Sequence, residues 1–273
     1  MLAARRRLKT TFKGNMATDV TPPLPQSPTL PSQKQAIAPA LHTLGLIAAV
    51  LAVSFTGADR LTTNANRPHG RLMLYVGTIV VDWVIVGYIW MGLKRRDVRL
   101  RDLIGGKWQS VEDVLFDAAI AVGFWLSWSF LVVAVSFALG SANLDPAKTM
   151  GKVSELKKTI GFIVPQGMTE VFAFVALTMT AGFCEEVIYR GYFQQQFRAW
   201  TNNLWLAILA QGVLFGASHG YQGWKSMLAI AIFGCAFGLL AAWRKSLRPG
   251  MIAHAWQDLF SGFMLKLTMK LAP

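Results

Sequence analysis

Behind residue 35 the chain is a succession of seven long apolar runs, near 36–57, 72–93, 113–139, 168–197, 203–220, 225–243 and 249–268. Most approach the roughly 20 residues with which a helix crosses the hydrocarbon core. Inside a bilayer no water satisfies backbone N–H and C=O groups, so each run is expected to be a helix, which satisfies its own. Composition agrees. Residues of the set AVILMFWYC make up 53% and charged residues only 15%, where a soluble domain carries about a quarter charged residues. That excludes a disordered chain and argues against a soluble globular enzyme. The expected fold class is all-α, a polytopic transmembrane helix bundle of about seven spans.

The basic excess, 27 Lys+Arg against 14 Asp+Glu, points to lipid rather than nucleic acid because of where it falls. Arg5, Arg6, Arg7, Lys9 and Lys13 precede the first apolar run, and Lys94, Arg95, Arg96, Arg99 and Arg101 follow another. Basic clusters at the ends of apolar runs are the positive-inside pattern. They put the tail and the 94–107, 198–203 and 244–248 connections inside, with a cytoplasmic N-terminus and, in a bacterial host, the plasma (inner) membrane. Residues 1–35, basic and then rich in Pro, Ser and Thr, read as a disordered tail. No apolar segment directly follows its Arg triplet, so it makes a poor cleavable signal peptide, and Met16 is a second candidate start beside Met1. Residues 36–109 are read as N-terminal spans, set apart from the spans of 110–268.

Several features are expected to be structural. Cys184 and Cys235 lie in apolar runs without metal-ligand spacing and read as small packing residues. Ser110 and Asp113 resemble a capping box opening the third run. Residues 140–167, with Lys157, Lys158 and Pro165, read as an external loop. Gly234, Gly238 and Ala242 form a small-residue ridge that lets a neighbouring helix approach. His42 and Asp82, each alone in its helix, read as hydrogen-bonded bundle residues.

Charge enters the membrane most densely in the fourth run, Cys184-Glu185-Glu186-Val187-Ile188-Tyr189-Arg190-Gly191. Ionisable groups inside spans are costly, and each is a functional candidate. Adjacent carboxylates on a helix point about 100° apart and cannot share one task. Glu186 and Arg190, four apart, can pair, which leaves Glu185 as a candidate general base. The fifth run ends Phe215-Gly216-Ala217-Ser218-His219, and the seventh carries His254-Ala255-Trp256-Gln257-Asp258. The turn near Asn202 lies 17 residues from both Glu185 and His219, so an antiparallel hairpin sets those two side by side. His254 joins them at one level only if the polar hairpin around Gln194–Gln196, Arg198 and Asn202 projects past the bilayer.

Glu185-Glu186-x-x-x-Arg190, Phe215-x-x-x-His219 and His254-x-x-x-Asp258, in that order within successive spans, resemble the motifs of the CPBP intramembrane proteases. These are the CAAX prenyl endopeptidases and the bacteriocin-processing or immunity (Abi) proteins. The resemblance covers about residues 110–268. It implies that Glu185 and His219 activate a water for peptide hydrolysis, that His254 and Asp258 stabilise the oxyanion, and that Arg190 holds the carboxylates, Glu186 among them. The substrate implied is a membrane-associated protein or peptide, prenylated or of bacteriocin type. Members are commonly classed as metalloendopeptidases, and Glu185, His219 and His254 are the three ligands a Zn2+ would take. The favoured form needs no cofactor: Glu185 and His219 share the water, and Asp258 fixes the tautomer of His254.

Two rival readings use the same residues. Gly216-Ala217-Ser218-His219-Gly220 matches the G-x-S-x-G nucleophile elbow, which needs a strand-to-helix turn, and a rhomboid-like serine protease would pair Ser218 with His254. A non-catalytic immunity or ion- or toxin-binding membrane protein would use the charges for binding alone.

Overall fold

The computed structural model describes residues 35–56, 69–138, 151, 154, 157 and 160–271. The tail expected over 1–35, apart from its last residue, and most of the loop expected over 140–167 lie outside them. Among the described residues all regular structure is helical. The long helices are α1 (Ala40–Thr56), α2 (Gly70–Lys94), α4 (Val111–Ala138), α5 (Met168–Glu185), α7 (Leu204–Ala217), α8 (Trp224–Arg244) and α9 (Arg248–Leu271). Short α3 (Leu100–Ile104) follows α2, and α6 (Gln194–Thr201) is joined to α5 by a π-helical stretch, Glu186–Phe193.

Each expected apolar run thus holds a helix, but the helices are not equal. Four are long and apolar enough to cross a membrane: Gly70–Lys94, Val111–Ala138, Met168–Thr201 and Trp224–Arg244. Helices α1 and α7 are apolar but shorter, and α9 is diluted by His254, Gln257, Asp258, Lys266 and Lys270. The continuous helix Met168–Thr201 has 34 residues. At 1.5 Å per residue that is about 50 Å, well beyond the ~30 Å hydrocarbon core, so it tilts or projects. The lipid-facing character is plainest on α4, where Phe130 is 74% exposed and Leu126 54%.

Local sequence sets the helix ends. Ser110 Oγ accepts from Asp113 N at 3.3 Å while Asp113 Oδ2 accepts from Ser110 N at 3.2 Å, the capping box that opens α4. Asn202 turns the chain in the left-handed region (φ 53°), and the Asn203 side chain accepts from the backbone N–H groups of Trp205 and Leu206. That tight turn folds α7 back along α6 and the π-helical stretch.

Glycines set the closest contacts. A Cβ on Gly182 would stand 2.8 Å from Ala255 N and 2.9 Å from Met251 O, so α5 and α9 meet backbone to backbone. Gly234 of α8 faces Gly212 of α7, where a Cβ would come within 3.2 Å of the Gly212 Cα. Helices α2 and α5 run parallel, with Tyr75 on Phe174 (5.8 Å between ring centroids) and Trp83 on Phe183 (5.5 Å). Gln194 and Gln196, expected in a water-facing hairpin, are buried. Gln196 Oε1 accepts from Ile37 N (2.9 Å) and Ala38 N (3.1 Å), and its Nε2 donates to Ala38 O (2.9 Å), anchoring the approach to α1. Leu247 N donates to Ile104 O at 2.8 Å, so the basic connections after α2 and after α8 lie at one end.

Candidate active site

Glu186 begins the π-helical stretch, and all eight of its residues are buried. An ordinary amphipathic helix buries one stripe; π-helical turns inside α-helices are frequent at functional sites. Glu186 Oε1 lies 2.9 Å from Arg190 Nη1, with both side chains fully buried. The rest of the guanidinium is held by the α7–α8 pair. Arg190 Nη2 donates to Gly234 O at 3.2 Å, and the group lies 4.4 Å from the Phe215 ring centroid and 4.9 Å from that of Phe237. Gln211 Nε2 donates to the same Gly234 carbonyl at 2.9 Å. The small-residue ridge of α8 therefore supplies an exposed carbonyl as well as a close approach.

His254 of α9 completes the chain of contacts. Its Nδ1 donates to Glu186 Oε1 at 3.0 Å, which leaves Nε2 facing Glu185 Oε2 at 3.6 Å and Asp258 Oδ2 at 3.7 Å. Those two distances exceed a direct hydrogen bond and leave Nε2 between two carboxylates as an ion-pair contact. Gly250, one turn before His254, admits the carboxylate: a Cβ there would stand 2.9 Å from Glu186 Oε2. The expectation that Asp258 fixes the tautomer of His254 is thus corrected. Glu186 takes Nδ1, and Asp258 addresses the opposite nitrogen.

The structure brings together Glu185, Glu186, Arg190, His254 and Asp258. His219 stands slightly apart. Its Nδ1 donates to Phe215 O at 2.9 Å, one helical turn upstream. Among the described residues no hydrogen bond or ion pair joins His219 to Glu185 or His254. It lies within electrostatic reach of Asp258, and the Phe215 ring touches both imidazoles, at 4.9 Å and 5.9 Å.

Two neighbours, Tyr221 and Phe237, escape the sequence reading, and a third, Asp82, departs from the hydrogen-bonded bundle role expected of it. Asp82 of α2 is 8% exposed, within electrostatic reach of Glu185 and His254, and its buried Oδ2 has no hydrogen-bond partner. Its signal was visible, an acid inside a span, but nothing local says which helix it faces. Tyr221, in the turn after α7, lies within reach of Glu185 and Asp258, and burial pushes its phenol up to about 12, so it remains a proton donor. Phe237 walls both Arg190 and His254, at 5.3 Å from the latter, and read only as an apolar residue. His42, by contrast, stacks on Tyr88 (3.8 Å between centroids), away from this cluster.

Among the described residues no three His, Cys, Asp or Glu side chains are grouped to hold a metal ion. Glu185, His219 and His254 are accordingly not grouped as a zinc ligand set: His254 Nε2 faces Glu185, but no contact among the described residues brings His219 to either. Ser218 Oγ donates to Phe215 O at 2.7 Å. No contact joins Ser218 to His254 among the described residues, and the turn holding it closes a helix rather than a strand.

These features define a polytopic helical membrane protein with a buried carboxylate–histidine centre. Residues 167–260 match the family model "Type II CAAX prenyl endopeptidase Rce1-like", which supports the CPBP/CAAX protease family for this chain. The matched stretch runs from the start of α5 into α9, narrower than 110–268, and holds all three motifs. No curated protein and no solved structure matches the chain.

Proposed function

We propose that this protein is an intramembrane endopeptidase that hydrolyses a peptide bond of a membrane-associated protein or peptide, with water activated by Glu185 and His219. The observation that carries the reading is the division of labour between the adjacent carboxylates. Glu186 is locked between Arg190 and His254, whereas Glu185 is 20% exposed at its side chain and faces His254 Nε2 at 3.6 Å without a direct hydrogen bond. A charge cluster serving only to hold helices would have no reason to leave one carboxylate unlocked.

In the proposed reaction Glu185 takes a proton from the water, and His219 Nε2 orients it as acceptor. The water oxygen bonds to the scissile carbonyl carbon. The oxyanion accepts from the Nε2–H of protonated His254, which Glu186 holds in place and Asp258 flanks; such placed donors are worth about 3–4 kcal/mol of barrier. Collapse breaks the C–N bond, and the proton on Glu185 passes to the leaving amine. No step is routed through a metal. The substrate class is a peptide presented at the membrane, prenylated or of bacteriocin type. The basic connections support a cytoplasmic N-terminus.

Reconstituted protein given farnesylated and unfarnesylated forms of one peptide in H2(18)O tests this directly. One new carboxylate carrying a single 18O atom, undiminished by a zinc chelator, is the expected product. Absence of cleavage in both peptides, or loss on chelation with recovery on added zinc, would contradict the reading.

A further inference from the structure

At the basic end of the bundle, away from the carboxylate–histidine centre, a recess of about 190 Å³ opens between the start of α4, the end of α8 and the start of α9. Its polar lining includes Lys107, Asp113, Asp117, Arg244, Ser246 and Arg248. Both carboxylates are already engaged. Asp117 accepts from Arg244 Nη2 at 2.7 Å and from Trp108 Nε1 at 2.9 Å. Asp113 Oδ2 accepts from the N–H groups of Gln109 and Ser110. Donors remain. Arg244 Nε is buried without a hydrogen-bond partner, and Lys107 has no ion-pair partner among the described residues. Ser246 Oγ accepts from Arg248 N at 3.3 Å and keeps its own proton to donate. Gly106, at φ +61°, keeps the recess open, because a Cβ there would stand 2.9 Å from Arg248 Nη1. Arg244 is paired with Asp117 and Arg248 Nη1 donates to Gly105 O, but three cations against two carboxylates leave a net positive recess with donors to spare for an anion with several acceptor oxygens, the chemistry of a phosphate.

One turn deeper, along the same two helices, lies an apolar groove of about 540 Å³ lined by Ile120, Gly123, Phe124, Ser127, Leu240 and Trp243, among others. Asp117 and Arg244 line the recess, and Ile120 and Trp243, within one turn of them on the same helices, line the groove, which reaches Ser127. Ten residues of helix is about 15 Å, the depth of one leaflet of a ~30 Å core. A polar cradle at the basic end beside an apolar groove one leaflet deep, on the same two helices, matches the two parts of one molecule. We propose that recess and groove together bind a single anionic phospholipid, its phosphate against Lys107, Arg244 and Arg248 and an acyl chain between α4 and α8. Basic pockets between spans are known to take anionic headgroups.

Retention of phosphatidylglycerol by the full-length protein in detergent, followed by native mass spectrometry, tests the proposal. Phosphatidylcholine, diacylglycerol and inorganic phosphate are the comparison probes. Phosphatidylglycerol should be held most tightly. Lys107→Met/Arg248→Met should weaken it on the order of tenfold or more. Arg95→Met/Arg96→Met, removing two exposed charges outside the recess, should cost less than about threefold. Gly123→Leu, at a position where a Cβ meets nothing within 4 Å, fills the groove without changing charge and should weaken retention too. Lys107→Met alone alters an exposed side chain and provides the reading if the double variant does not fold. Equal loss from both charge pairs, an indifferent Gly123→Leu, or inorganic phosphate displacing the lipid outright would each overturn the lipid site.

Discussion

Arg190 is the residue on which the carboxylate pair depends, because it is fully buried and opposes a fully buried Glu186. Removing one member of such a pair costs about 3–5 kcal/mol by stranding the other. Arg190→Ala should therefore melt well below wild type in detergent as well as losing turnover; unchanged melting would mean the pair contributes nothing. Asp82 makes the opposite case. Its buried Oδ2 has no partner, so Asp82→Asn should leave melting unchanged or raise it, while altering turnover through the field on Glu185 and His254. A large drop in melting would instead assign Asp82 to the fold. What was legible here was local. Glu186 with Arg190 and His254 with Asp258 are four apart, and helical spacing alone brings them together. The Glu186–His254 bond spans 68 residues, and no spacing rule shows it, so helical spacing alone points to Asp258 as the partner of His254.

Helices α5 and α9 carry the two halves of the site, and Gly182 sets the distance between them. Gly182→Leu would force its side chain into Ala255 and the Met251 carbonyl, an overpacking that costs about 1–3 kcal/mol. Because misplacement by about 1 Å can cost 100-fold in rate, turnover should fall further than stability does. Gly87→Leu, with nothing within 4 Å, is the matched control and should keep both, measured as turnover and melting side by side. The hydrophobic pattern placed each long helix and the hairpin turn at Asn202, since apolar length and turn chemistry are properties of short windows. The π-helical stretch over Glu186–Phe193 was read as continuous α-helix. Its i→i+5 bonding is set by packing against α7, α3 and the chain around Leu247, which no local pattern encodes.

Across the whole bundle the apolar exterior is what makes the site possible, since a low-dielectric surround strengthens every charge contact at its centre. Leu126, 54% exposed on α4, marks that exterior. Leu126→Arg puts a charge near the middle of a span, at about 2.5–3.5 kcal/mol, and should reduce the membrane-inserted fraction on cell fractionation. An unaffected yield in the membrane fraction would place α4 outside the lipid. The central claim is that Glu185 is the base of a hydrolytic site whose architecture is held by others. It is tested by single-turnover cleavage of a membrane-tethered peptide by reconstituted wild type and Glu185→Gln, at matched folding. The variant should melt like wild type, because Glu185 is the unlocked carboxylate, and cleave about 100-fold or more slowly; wild-type cleavage by a fully folded Glu185→Gln protein would contradict the account.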